Sequence, residues 1–163
     1  MTIPEQGASG ILATIGGRFG GWALWLADSK PQFAYALSNQ PQHKFRIASD
    51  QPIPAGNHVV RFRFQYASGG LGKGATGTLF VDGKQVAEGP IPETIIARFS
   101  LDETFDVGED TGTPVVEDYV NKMPYAFTGT LKKFLVILEP QNLTEEERKK
   151  LLEQEAKAAM SVQ

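Results

Sequence analysis

Residues 59–66, Val-Val-Arg-Phe-Arg-Phe-Gln-Tyr, repeat with a period of two. Val60, Phe62, Phe64 and Tyr66 fall on one side of that period; Arg61, Arg63 and Gln65 fall on the other. Successive side chains of a β-strand point to opposite faces, so the run fits a strand with one core face. A slip of one residue would bury both arginines, which pins the register. The opposite face is left to solvent or to a partner. A strand of this kind needs neighbours in a sheet and a second layer over its apolar face.

The rest of the chain supplies candidate neighbours. Residues 77–81 and 84–87 flank Asp82-Gly83, and Asp-Gly favours the positive φ angles of a tight type I′ hairpin turn. Residues 10–15 and 20–26 form an earlier pair of β-type runs. Residues 33–37 place Phe33, Tyr35 and Leu37 on one face, and residues 44–47 do the same with Phe45 and Ile47. Residues 51–57 are a turn, residues 68–74 a glycine-rich loop, and Pro90 to Pro92 a break. Further strands are expected over residues 97–101 and 132–138. Many short strands with regular turn signals indicate an all-β sandwich or barrel, and a jelly-roll sandwich is the preferred form. The expected division is an extension over residues 1–9, a sandwich over 10–140 and a helical tail over 141–163. In the tail, Thr144 and Glu147 form a capping box, and acidic residues precede basic ones in the order that suits the helix dipole. An α-helix from Glu145 to about Met160 follows, with a narrow apolar stripe of Leu143, Leu151, Leu152, Ala158 and Ala159.

Composition excludes several kinds of chemistry. The chain has no cysteine, so disulfides, thiolate metal sites and cysteine nucleophiles are ruled out. A net charge of −3 gives no basic nucleic-acid surface. Its first residues lack the basic start and apolar run of a signal peptide, and no segment is apolar enough to span a bilayer. A complete chain of this kind would be cytoplasmic; a fragment of a longer protein leaves the location open.

Gly72-Lys73-Gly74-Ala75-Thr76-Gly77 has the spacing of a dinucleotide-binding loop. A hairpin rather than a helix follows it, so no helix N-terminus is there to hold a pyrophosphate. No G-x-S-x-G elbow occurs. His43 and His58 stand apart from any metal-ligand spacing and suit surface or edge positions.

Residues 101–115 are densely acidic without a lysine or arginine. Asp106, Glu109 and Asp110, with Asp102 and Glu103 nearby, are hard oxygen donors that suit calcium. An EF-hand is excluded, because Thr111 stands at the glycine position and Pro114 interrupts the loop. Two readings remain: a looser calcium site, and a polar loop whose Asp and Thr side chains satisfy their own backbone. The second is preferred. Trp22 and Trp25 are three residues apart and lie on opposite faces of a regular strand, which leaves two readings: an outward-facing ring in a sugar-stacking platform, and core aromatics, of which the second is preferred. Arg61, Arg63 and Lys73 are the better candidates for holding an anion.

Several stretches are similar to the non-catalytic C-terminal domain of bacterial arylsulfatases. They are Gly20-Gly21-Trp22-Ala23-Leu24, Gly70-Leu71-Gly72-Lys73-Gly74, Leu79-Phe80-Val81-Asp82-Gly83-Lys84, Phe127-Thr128-Gly129 and, above all, residues 100–115. The resemblance implies a concanavalin/laminin-G-like jelly roll that packs on a sulfatase catalytic domain, stabilising it or shaping substrate access. It does not bring catalysis. Sulfatases mature a Cys or Ser within C/S-x-P-x-R, and the nearest approach here, Ser29-Lys30-Pro31-Gln32-Phe33, has Phe33 in place of Arg. The sulfatase calcium ligands belong to the catalytic domain. On this reading the acidic stretch and residues 68–74 are contact surfaces, and charge reversal at Asp106 and Asp110 should weaken docking. A free-standing carbohydrate-binding module is the alternative.

Overall fold

A computed structural model describes residues 1–67, 70–96, 99, 104–138 and 143–160. Its strands are β1 (Thr2–Ile3), β2 (Gly10–Gly17), β3 (Gly20–Ala27), β4 (Lys30–Ala36), β5 (Lys44–Ala48), β6 (Gly56–Asn57), β7 (Val60–Tyr66), β8 (Ala75–Val81), β9 (Lys84–Ile91) and β10 (Phe105–Val107). A 3-10 helix spans Glu117–Lys122 and the α-helix α1 spans Glu145–Met160. The fold is all-β with a helical tail, and every strand pairing is antiparallel.

Three sheets form. The largest runs β10-β2-β3-β4-β5, the second β7-β8-β9, and the smallest pairs β1 with β6. The inner faces of the two larger sheets share one core. Phe33 of β4 stacks on Phe62 of β7 at 3.5 Å between ring centroids, and Trp22 stacks on Phe33 at 6.2 Å. Leu24, Leu26, Tyr35 and Ile47 from the large sheet meet Leu79 and Ile91 from the second in the same cluster.

The other face of the large sheet is buried too. Ala23, Ala34 and Ala36 make a low floor there, with Ile11 and Trp25 beside them. Val115, Val116, Tyr119 and Tyr125 lie on that floor. This cover explains why β2, β3 and β4 are buried almost without interruption instead of on alternate residues. Small side chains let the covering chain come close. At Gly10 (φ +119°) a Cβ would run into the backbone carbonyl of Ala126, so only glycine fits.

Several expectations hold. The Asp82-Gly83 turn has φ angles of +51° and +81° at its two central residues. Asp82 also ties the hairpin to the start of β7: its carboxylate accepts from Val59 N at 2.8 Å and lies 2.7 Å from His58 Nδ1. Those contacts, the Val59 amide first, hold the Asp82 carboxyl below the ordinary carboxylate value. The tail forms its capping box in both directions: Thr144 N donates to Glu147 Oε2 at 2.7 Å, and Glu147 N to Thr144 Oγ1 at 3.3 Å.

Others are corrected. Residues 1–9 are built into the sandwich: Ile3 and Ala8 are buried in the shared core, and β1 pairs with β6. β9 continues through Pro90 to Ile91; it is an edge strand, where a residue without an N–H is tolerated. Residues 132–138 are not a strand. Thr130 makes a single bridge with Thr2, and the apolar run beyond it has no ladder partner among the described residues. β-propensity favours a strand there, but a strand also needs an edge to pair with. The strand expected over residues 97–101 lies, apart from Phe99, outside the described residues; the Phe99 ring packs on Tyr35 at 5.6 Å.

The shared core rests on Phe33, which contacts both Trp22 and Phe62. Phe33→Ala should cost about 3–5 kcal/mol in denaturant-unfolding free energy. Phe64→Ala, at a ring 41% exposed, should cost about 1 kcal/mol or less.

Candidate functional site

The acidic stretch folds over the outer face of the large sheet, where its residues take two different roles. Asp110 is 2% exposed. Its Oδ1 accepts from Gly112 N at 3.1 Å, an Asx turn written in the sequence as Asp-Thr-Gly. Its Oδ2 accepts from the Tyr119 hydroxyl at 2.9 Å, and that hydroxyl accepts from Val115 N at 3.0 Å. Burial and then the neighbouring carboxylate push the Tyr119 phenol far above its ordinary pKa, so it stays a neutral donor. The Tyr119 ring in turn packs on Trp25 at 5.6 Å and on Tyr125 at 5.4 Å. Tyr125 donates its hydroxyl to Leu26 O at 3.1 Å. Asp110 is thus the polar anchor of the cover over Trp25.

Asp106 lies at the edge, in β10. It accepts from Thr104 Oγ1 at 2.8 Å, from Thr111 N at 3.2 Å and from Thr111 Oγ1 at 3.1 Å. The Thr104 hydrogen bond does most to hold its carboxyl below the ordinary value. The two aspartates weighed as calcium ligands therefore bind the chain's own donors, and Glu109 beside them is half-buried. Among the described residues no three His, Asp or Glu side chains come together as a metal site. A contact role for Asp110 is corrected on the same ground: a carboxylate this buried cannot meet a partner.

The two tryptophans do lie on opposite faces, but neither forms a platform. Trp25 is 1% exposed beneath the cover, with the Arg46 guanidinium 5.7 Å from its ring. Trp22 is half-buried between Phe33 and Phe105. The sequence offered no sign that a second layer lies over Trp25, because Tyr119 and Tyr125 carry no strand pattern.

Arg61 and Arg63 stand exposed on the outer face of β7. The register aligns Arg61 with Phe80 and Arg63 with Thr78, and the Arg61 guanidinium sits 4.2 Å over the Phe80 ring. Thr78 donates to Glu88 Oε2 at 3.1 Å on the next strand. Lys73 lies apart, on the loop beyond the end of β7, where its backbone N donates to the Tyr66 hydroxyl at 2.9 Å. His43 Nδ1 meets Ser38 Oγ at 2.8 Å, and His58 meets Asp82 as described.

Sequence reasoning missed a cluster on the opposite side. Arg46 donates from Nη2 to Gln32 Oε1 at 2.8 Å and pairs through Nη1 with Asp118. Lys44 and Arg18 reach Glu117 at 3.6 and 3.9 Å. Lys44, Arg46, Glu117 and Asp118 edge a shallow cleft of about 280 Å³ with Asn39, Pro41 and Val116. The charges come from strands and a 3-10 helix some seventy residues apart, so no local pattern announces them. Their arrangement ties the end of the cover to β5.

A run of exposed apolar side chains lies elsewhere. Leu135, Val136, Ile137 and Leu138 are 65%, 55%, 78% and 86% exposed. Phe134, just before them, turns inward onto Phe105 at 5.7 Å. Val59, Phe64 and Tyr66 on and next to β7 are exposed as well.

Tyr119→Phe removes the hydroxyl between Val115 N and Asp110, leaving two buried groups without that partner. It should destabilise the chain by about 1–3 kcal/mol in urea unfolding. Asp82 and Asp106 have folded pKa values below their unfolded ones. The stability they contribute is present above the unfolded value and is lost as pH falls through the folded one. Melting temperature should therefore drop on acidification below about pH 4. Asp106→Asn should flatten part of that drop.

Comparison of the chain with protein-family models found no match, and comparison with curated proteins found none either.

Proposed function

We propose that this chain is a non-catalytic accessory β-sandwich of an arylsulfatase, of the concanavalin/laminin-G-like jelly-roll class. In that role it packs on the sulfatase catalytic domain, stabilising it or shaping the approach of substrate. The observation that carries the reading is the run Leu135, Val136, Ile137 and Leu138, four consecutive large apolar side chains all more than half exposed. Contiguous apolar surface of this kind marks a place where another protein surface belongs. The resemblance of residues 100–115 to the sulfatase domain supplies the partner.

Two details support a role without chemistry. Ser29, in the segment nearest to the sulfatase nucleophile motif, is 5% exposed and its hydroxyl accepts from Ala8 N at 2.9 Å. It serves as a structural tie between the first residues and the β3–β4 turn. The acidic word, the strongest part of the resemblance, anchors the cover through Asp110 and Tyr119, so what it shares with the sulfatase domain is a way of folding. The glycan-binding alternative needs an exposed tryptophan, and both tryptophans are packed.

An antibody to this domain should detect, in cells that make it, a polypeptide several times heavier than 17.8 kDa that hydrolyses an aryl sulfate. A product of 17.8 kDa, or a larger one without that activity, would overturn the reading. On the isolated domain, Leu135→Asp together with Ile137→Asp should change unfolding free energy by no more than about 0.5 kcal/mol. The same pair should weaken association with the catalytic domain at least about tenfold. Unchanged association would remove this run from the interface.

A further inference from the structure

Among the described residues no strand pairs with the edge of β7 away from β8, and that edge has a defined hydrogen-bonding register. Antiparallel pairs alternate between residues that exchange both backbone bonds and residues that exchange none. On the side toward β8, Asp82 N donates to Val59 O at 2.9 Å and Ala67 N to Gly74 O at 2.8 Å. Both rungs fall on odd-numbered residues, and the pairing between them is unbroken from Val60 to Tyr66. Arg61, Arg63 and Gln65 therefore bond to β8. The backbone N–H and C=O groups of Val60, Phe62, Phe64 and Tyr66 face the other way.

The first rung on that other side is already made. Met1 N donates to His58 O at 2.8 Å, and His58 N donates to Met1 O at 3.0 Å. Thr2 uses its own groups on its far side, exchanging bonds with Thr130 at 2.8 and 3.0 Å. β1 is thus the middle of three strands at this point, with residues 56–58 on one flank and Thr130 on the other. Its direction, traced back past Met1, runs along the free edge of β7. The next even-numbered residues on that edge are Val60, Phe62, Phe64 and Tyr66.

The surroundings fit an added strand. On the inner side lies a row of rings, Phe134, Phe105, Trp22, Phe33 and Phe62, each within 6.2 Å of the next. Its two ends belong to the two flanks of the slot. Phe105, Phe64 and Tyr66 remain 44%, 41% and 39% exposed. On the outer side stand Arg61 and Arg63, and Lys132 and Lys133 are exposed on the segment that follows Thr130. A second copy of β7 would set arginines against arginines, which is unfavourable. An occupant with apolar residues inward and acidic or hydroxyl residues outward matches both sides.

We propose that the edge of β7 receives one extended strand, in line with β1, supplied by polypeptide joined ahead of Met1. The inserted strand pairs antiparallel with β7 and links it to residues 131–138, in the manner of strand addition to a sheet edge. The inference rests on one premise of the accessory-domain reading, a longer polypeptide. It does not depend on what that polypeptide catalyses.

The test adds Val-Thr-Val-Glu-Val-Glu-Val-Thr directly before Met1 and follows amide hydrogen exchange by NMR. In the 163-residue chain, the amides of Val60, Phe62, Phe64 and Tyr66 should exchange at least about tenfold faster than those of Arg61, Arg63 and Gln65. The extension should slow the even-numbered set at least about tenfold and raise the melting temperature. An extension with the same composition and the alternation shifted by one residue should do neither. Even-numbered amides that are protected in the unextended chain would overturn the proposal. Protection that grows with protein concentration would assign the edge to a second copy. Protection by the free peptide but not by the joined one would assign it to a separate chain. No protection by either would leave the edge without a strand to receive. Because no sulfatase enters this experiment, its outcome is separate from that of the docking reading.

Discussion

Burial of the large sheet on both faces is the constraint from which the rest of the structure follows. A sheet that faces water on one side can alternate apolar and polar residues. Here the central strands cannot, and Ala23, Ala34 and Ala36 occupy positions where polar residues would otherwise stand. The covering chain that lies on them is rich in aromatic side chains and carries one buried carboxylate. An isolated buried carboxylate is costly, so Asp110 needs the donors that Tyr119 and Gly112 provide. Tyr119 reaches it with its ring tilted against Trp25. Sheet, cover and acidic loop therefore specify one another.

That coupling explains what the sequence made legible. Alternation is a local signal, and it located β7, the 84–87 arm of β9 and the inner faces of β4 and β5 through Val60, Phe62, Phe33, Tyr35, Phe45 and Ile47. The Asp82-Gly83 turn and the Thr144–Glu147 cap are also local, since each depends on residues only a few positions apart. The cover depends on Trp25 meeting Tyr119 and on Leu26 meeting Tyr125, pairs about a hundred residues apart. No short-range pattern encodes such contacts. For the same reason the sequence does not show which of Trp22 and Trp25 faces the second layer, and the fold buries Trp25 beneath it. The preferred account of the acidic loop came closer, because Asp-Thr-Gly is itself a local turn signal, although the depth of Asp110 was not visible in it.

Among the described residues the two layers of the sandwich are unequal. Five strands face three. β7, β8 and β9 lie over the β4 and β5 side, where Gly77 and Gly89 lack side chains and Ile47 fills the space beside them. The β10 and β2 side is served instead by the end of the aromatic row. Residues 134–138 have the composition of a strand and approach this side through Phe134, but a strand is defined by its neighbour. Their contact there is Phe105 of β10, itself an edge strand, while β1, two residues long, lies between residues 56–57 and Thr130. Among the described residues the second sheet is the narrower of the two, and both its β7 edge and the run Leu135 to Leu138 are without a ladder partner.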